Sequence, residues 1–218
     1  MVDYQRARHN MVEGQLRTNK VNDQRILSAF ESLPRERFVP EAAQGFAYID
    51  EDLALTSQRH MLEPLVLARL IQEALVEPSD IALDVACGSG YACAVLANLA
   101  ATVIGIESDA SLVQKGSRLL RDLDITNAVV LEGDLTAGAP QHGPYDFILI
   151  EGAVELVSQA LIDQLADGGR LATVMVGEDG VGRGTLFRRD GEVVSQRSLF
   201  DASVRPLAGF ARPPSFVF

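Results

Sequence analysis

The sequence predicts an α/β protein with a mainly parallel sheet covered by helices on both faces. Three observations carry this prediction. Five short apolar runs alternate with helical stretches from residue 81 onward, a glycine-containing loop follows the first run, and 218 residues suit one core with terminal additions. The runs are Ile81–Val85, Thr102–Ile106, Ala128–Leu131, Phe147–Ile150 and Arg170–Val176. Helices between most of them make βαβ units, and such sheets bind ligands beyond the carboxyl ends of their strands.

Before that core, an amphipathic stretch near Asp3–Leu16 and a second at Asp23–Leu33, with Ile26, Leu27 and Phe30 on one face, read as helices. Asn22 or Asp23 is the expected cap of the second. Pro34 and Pro40 bracket an expected extended segment carrying Phe38 and Val39, and Pro64 opens a helix to about Val76. After the core, Gly184–Arg188 and Glu192–Leu199 flank Asp190-Gly191, a hairpin signal.

Composition excludes several classes. With 47% apolar and 22% charged residues and no internal repeat, the chain is an ordinary globular protein. A formal charge of −11 disfavours a nucleic-acid partner, because phosphate backbones are bound by clustered Lys and Arg. Cys87 and Cys93 are the only cysteines, too few for a metal quartet, and they are expected to be reduced and structural. The residues following Met1 lack an apolar signal core and no run is long enough to span a membrane, so a cytoplasmic location is expected.

The first strand leads into Asp84-Val85-Ala86-Cys87-Gly88-Ser89-Gly90 and a helix at Tyr91–Leu99. Glycines here let the backbone turn tightly and approach a ligand closely. Glu107 ends the second strand, where a carboxylate can accept from both hydroxyls of an adenosine ribose. Glu132-Gly133-Asp134 follows the third strand, where a carboxylate can meet the adenine amino group. A dinucleotide fingerprint would need glycine at position 93, which is Cys, and more than 80 residues precede the loop. One adenosine with one ribose therefore fits better than NAD, which points to S-adenosylmethionine. The expected binding set is Asp84, Ala86, Gly88, Gly90, Glu107, Ser108, Gly133, Asp134 and Leu135, with no metal. The fold expected is thus a Rossmann-like class I methyltransferase sheet with an N-terminal helical extension and a C-terminal antiparallel hairpin.

Several segments resemble the protein-L-isoaspartate (D-aspartate) O-methyltransferase family. They are Met11-Val12-Glu13-x-Gln15-Leu16, Leu33-Pro34-Arg35-Glu36-x-Phe38-Val39-Pro40, Ala47-Tyr48-x-Asp50, Gly88-Ser89-Gly90-Tyr91 and Gly168-Gly169-Arg170-Leu171. Val204-x-Pro206-Leu207 is a weaker echo. The resemblance implies methyl transfer from S-adenosylmethionine to an isoaspartyl carboxylate of a protein or peptide, a group already ionised at neutral pH. It also divides one domain, 1–218, into an N-terminal helical and acceptor-facing part at 1–79, a nucleotide core at 80–177 and C-terminal strands at 178–218. The family carries Thr-x-Ser-Gln-Pro before the helix at Pro64, whereas this chain reads His60-Met61-Leu62-Glu63-Pro64, so Leu62 stands at the family's serine position. Arg59, His60 and Glu63 are then the candidates facing the acceptor, within a segment Thr56–Glu63. Glu151, at the end of the fourth strand, is either a solvated strand end or a wall of the acceptor cleft. The competing readings are a methyltransferase for another acceptor and a diverged cofactor-binding protein without repair activity, with the loop Arg59–Glu63 as the discriminating feature. A monomer without nucleic-acid or membrane partners is expected.

Overall fold

The structure, a computed structural model, describes residues 2–212. Helix α1 (Tyr4–Met11) is capped by Asp3 and runs into a wider π turn over Val12–Leu16. Helix α2 (Gln24–Ser32) is capped by the Asp23 carboxylate, which accepts from Arg25 N, and it buries Ile26, Leu27 and Phe30. The segment between Pro34 and Pro40 is not extended as expected. It forms a 3-10 turn at Arg35–Arg37, because the Arg35 side chain turns inward and donates to Ala47 O at 2.7 Å and Leu62 O at 2.7 Å. A two-stranded ribbon, β1 (Leu53–Ala54) and β2 (His60–Met61), then precedes α3 (Pro64–Glu73).

Seven strands build the main sheet: β3 (Ile81–Val85), β4 (Thr102–Glu107), β5 (Ala128–Glu132), β6 (Tyr145–Val154), β7 (Leu165–Val176), β8 (Gly182–Asp190) and β9 (Val193–Asp201). Their order is β5-β4-β3-β6-β7-β8-β9, parallel from β5 to β7 and antiparallel for the last two pairings. Helices α4 (Tyr91–Ala97), α5 (Ala110–Asp122) and α6 (Gln159–Asp163) complete the elements. Strand alternation sorts the core in two. Ala82, Val103, Phe147 and Leu149 join α1 to α5, while Leu83, Val85, Ile104, Ile106, Ile148 and Ile150 face the other way. That second face is covered by the short α6, the connection around Leu135–Ala139 and the final segment with Leu207 and Phe210, so the cover is unequal.

The C-terminal hairpin forms, and Asp190 pairs with Val193, which leaves Gly191-Glu192 as the two-residue turn. β6 extends four residues past the expected Ile150, with a register shift between Leu149 and Ala153 against β7. Such a bulge re-aims the side chains within it, and Glu151 is one of them. The chain order reverses between β4 and β6 on either side of β3, so the crevice above β3 is the topological switch point.

Candidate cofactor and acceptor site

The loop after β3 places Ala86, Gly88 and Gly90 at left-handed φ values of 63°, 54° and 86°. Glycine tolerates this conformation, whereas Ala86 holds it at a cost of about 1 kcal/mol. Gly90 also starts α4 without a side-chain cap, so the first amides of that helix face the loop. The loop is anchored from both sides. Ala86 N and Cys87 N donate to Ile106 O, and the buried Ser89 donates through Oγ to Phe38 O at 2.6 Å. Ser89 and Phe38 lie within the recognisable motifs, but nothing in the sequence pairs them.

Glu107, at the end of β4, is fully buried, and its carboxylate is the most densely bonded group in the site. Gly88 N donates to Oε2 at 3.0 Å, and Ser108 N and Asp109 N donate to Oε1 at 2.7 and 3.0 Å. Arg59 Nε reaches both oxygens, at 2.9 and 3.2 Å, and Arg59 Nη2 donates to Ser108 Oγ at 2.7 Å. Thus Glu107 meets the loop after β3, and Glu107 and Ser108 both meet Arg59, a candidate for the acceptor side. Gly133 N donates to Glu107 O at 3.0 Å, which sets the third post-strand element beside the second. Asp134 is exposed, and its Oδ1 accepts from Thr136 N and Thr136 Oγ1 at 2.8 and 2.7 Å, bonds that hold its carboxyl below the ordinary range. Leu135 next to it is buried in the second core layer.

Asp84 sits beneath the loop with no exposed surface, and Cys93 Sγ lies 3.1 Å from its Oδ2. Its Oδ1 and Glu151 Oε1 have no conventional donor among the described residues. Burial raises both carboxyls, Asp84 to about 7 and Glu151 well above its ordinary value, and each lies against the other. A proton shared between the two carboxyls would account for both otherwise unpaired oxygens. Glu151 is therefore a buried wall of the cleft and not a solvated strand end.

The acceptor side is a narrow crevice between the β1–β2 ribbon, the β6 bulge and the C-terminal segment, lined by Arg59, His60, Leu62, Glu151 and Arg205. Leu62 is 2% exposed, and its carbonyl is the group that Arg35 holds. Glu63 does not line this crevice but a neighbouring groove with Glu51, Asp52 and Arg205; it is half-buried, and burial with Asp50, Asp52 and Glu51 raises it to about 7. Asp50 and Asp52 have a local task as well, accepting from Leu65 N at 3.2 Å and Glu63 N at 3.0 Å where α3 begins. Arg205 was not anticipated. It is placed because its flanks run along β6, with Ala153 N donating to Arg205 O and Leu207 N to Ala153 O.

The upward shift of the Asp84 and Glu151 carboxyls has a measurable consequence. Ordinary carboxyls ionise near pH 4, so between about pH 4 and 7 the native state holds protons that the unfolded chain has lost. Stability from this source is fully present below pH 4 and is lost as pH rises through 7, by up to about 1.4 kcal/mol per pH unit per proton. Glu151→Gln is expected to flatten the fall in unfolding midpoint between about pH 4 and 7. Equal slopes in thermal unfolding of the two proteins would show that the pair does not share a proton.

A parallel sheet in this order, closed by an antiparallel meander, with a glycine-containing loop after its central strand and an acidic residue ending the next, defines the class I methyltransferase fold. The profile described as protein-L-isoaspartate(D-aspartate) O-methyltransferase (PCMT) matches residues 6–207. A protein-L-isoaspartate O-methyltransferase of Herpetosiphon aurantiacus is 37% identical over 94% of this chain and 92% of its own. One from Roseiflexus sp. is 34% identical over 95% of this chain and 94% of its own. The chain therefore belongs to the protein-L-isoaspartate(D-aspartate) O-methyltransferase family. Among solved structures, a protein-L-isoaspartate O-methyltransferase shares the fold with TM-score 0.80 at 22% identity, over 93% of this chain and 66% of that one. A Plasmodium falciparum structure in complex with S-adenosyl-L-homocysteine shares it with TM-score 0.77 at 20% identity, over 92% and 97%.

Proposed function

We propose that this chain transfers the methyl group of S-adenosylmethionine to the carboxylate of an isoaspartyl residue in a protein or peptide. The observation that carries the reading is the Glu107 carboxylate, fixed by three backbone amides at the end of β4 and facing the loop after β3. That placement suits a ribose hydroxyl. The match over residues 6–207 and the bound S-adenosyl-L-homocysteine of the Plasmodium falciparum structure support it.

The residues present fit the cofactor. Ala86, Gly88 and Gly90 would take its backbone-facing edge, Glu107 and Ser108 its ribose, and Gly133, Asp134 and Leu135 its adenine, with the second Asp134 oxygen still available. Asp84 would support the loop from below. When bound, the cofactor supplies an electrophilic methyl on a sulfonium. A carboxylate acceptor needs no base at neutral pH, so the task of the protein is alignment and exclusion of water. Arg59, His60 and Arg205 supply donors in the crevice, and Leu62 supplies an apolar wall in place of a hydroxyl.

The same reading gives a soluble cytoplasmic monomer that acts on protein or peptide substrates and not on nucleic acid. The charge of −11 weighs against a nucleic-acid substrate, and no helix among the described residues is long and apolar enough to cross a membrane.

A methyl-transfer assay with an isoaspartyl peptide tests the proposal. Peptide-dependent methyl ester formation is expected, slower than in a relative carrying serine at position 62, because one missing hydrogen bond is worth about 0.5–1.5 kcal/mol, or roughly threefold to tenfold. No turnover with this peptide, while S-adenosylmethionine still binds, would assign the site to another acceptor.

A further inference from the structure

Arg59 touches two sites at once. Its guanidinium is bonded to Glu107 and Ser108 on the cofactor side, while the residue also lines the crevice with Leu62, Glu151 and Arg205. Its backbone is fixed: Leu55 N and Thr56 N donate to Arg59 O at 2.8 and 3.2 Å, and Arg59 N donates to Thr56 Oγ1 at 3.2 Å. Only the side chain is free to choose between the two directions.

Glu107 cannot serve Arg59 and a ribose together. A carboxylate offers about four lone-pair positions. Gly88 N, Ser108 N and Asp109 N take three of them, and Arg59 Nε straddles both oxygens. The three amides belong to the turn itself and stay. Arg59 is the only donor of the set that can leave without unmaking the loop. Once displaced, a cation that is 7% exposed needs another anion. Of the two acids that line the crevice, Glu151 is buried against Asp84 and held towards its neutral form, and Asp52 already accepts from Glu63 N and Arg205 N, one on each oxygen. The carboxylate of the acceptor is the anion that the reaction brings to this crevice.

We propose that Arg59 is a two-position side chain, holding Glu107 until S-adenosylmethionine displaces it and then pairing with the acceptor carboxylate in the crevice. The cofactor thus binds first, and its arrival completes the acceptor site. This rests on the proposed function, since it takes the acceptor to be a carboxylate.

The two positions predict effects of opposite sign from one substitution. Calorimetric titration with S-adenosylhomocysteine, without peptide, is expected to give about tenfold tighter binding to Arg59→Ala, because a competitor for Glu107 is gone. In steady state, the KM for an isoaspartyl peptide is expected to rise about tenfold or more, with a smaller change in kcat and partial recovery in Arg59→Lys. Arg59→Gln, neutral and close in shape, repeats both measurements should the alanine variant fold poorly. Weaker or unchanged binding of S-adenosylhomocysteine overturns the displacement, and weaker binding would mean that Arg59 contacts the cofactor. An unchanged peptide KM overturns the acceptor role. If the unmodified protein methylates no isoaspartyl peptide, the proposed function fails, whereas the homocysteine-ligand titration still decides the displacement on its own.

Discussion

Replacing Glu107 with alanine is expected to weaken S-adenosylmethionine binding by roughly tenfold to a hundredfold. A charge-assisted hydrogen bond contributes about 1.5–3 kcal/mol, and the ribose would lose the one that the lone-pair position vacated by Arg59 can accept. One such bond corresponds to roughly tenfold to a hundredfold in dissociation constant. The same substitution should also lower stability. Gly88 N, Ser108 N and Asp109 N lose their acceptor, and Arg59 becomes an unpaired buried cation. Removing one partner of a buried ion pair costs about 3–5 kcal/mol. In a protein of this size that lowers the unfolding midpoint by about 6–20 °C. Titration well below that midpoint separates the two effects, and Glu107→Gln, which keeps an acceptor oxygen, should lie between the parent and Glu107→Ala in both. Unchanged affinity in folded Glu107→Ala would move the ribose elsewhere.

Arg35→Ala is expected to be the most destabilising change far from the cofactor. The Arg35 guanidinium is wholly buried, donates to Ala47 O and Leu62 O, and lies 4.8 Å from the centre of the Tyr91 ring. It therefore ties the segment at Ala47, the residues around Leu62 and the first residue of α4 into one unit. Its removal orphans two buried carbonyls at about 1–3 kcal/mol each and leaves a cavity beside an aromatic ring. A loss of about 3–5 kcal/mol, seen as a fall of roughly 6–20 °C in thermal unfolding, is expected. The KM for the acceptor should rise as well, because Leu62 loses its anchor. Arg35→Lys can reach only one of the two carbonyls and should recover part of the stability. A midpoint within 2 °C of the parent, on the order of 0.5–1 kcal/mol, would show that the surrounding residues satisfy those carbonyls without Arg35.

The motifs of the N-terminal third were legible before their purpose was. Arg35, Phe38, Ala47 and Asp50 could be read as a pattern, yet only the fold shows that Arg35 reaches Ala47 and Leu62, that Phe38 O receives Ser89, and that Asp50 caps α3. Reading Pro34 to Pro40 as extended followed from the prolines, whose local preference was overridden by the burial of Arg35. Glu151 was ambiguous because a bulge cannot be seen in a run of apolar residues. Arg205 carried only the signal of its neighbours Val204, Pro206 and Leu207.

The sequence by itself determined the parallel sheet, the loop after its central strand, the acid at the end of β4 and the closing hairpin. These are encoded by short-range periodicity and by residues whose backbone preferences are strong, and such signals act within a few positions. The tertiary structure alone decided that Arg59 pairs with Glu107, 48 positions away, and that Asp84 and Glu151 face one another across neighbouring strands. Those contacts depend on which long side chain is buried beside which acid. In a dry interior a charge must take whatever partner the packing brings within reach, and no local pattern specifies that partner.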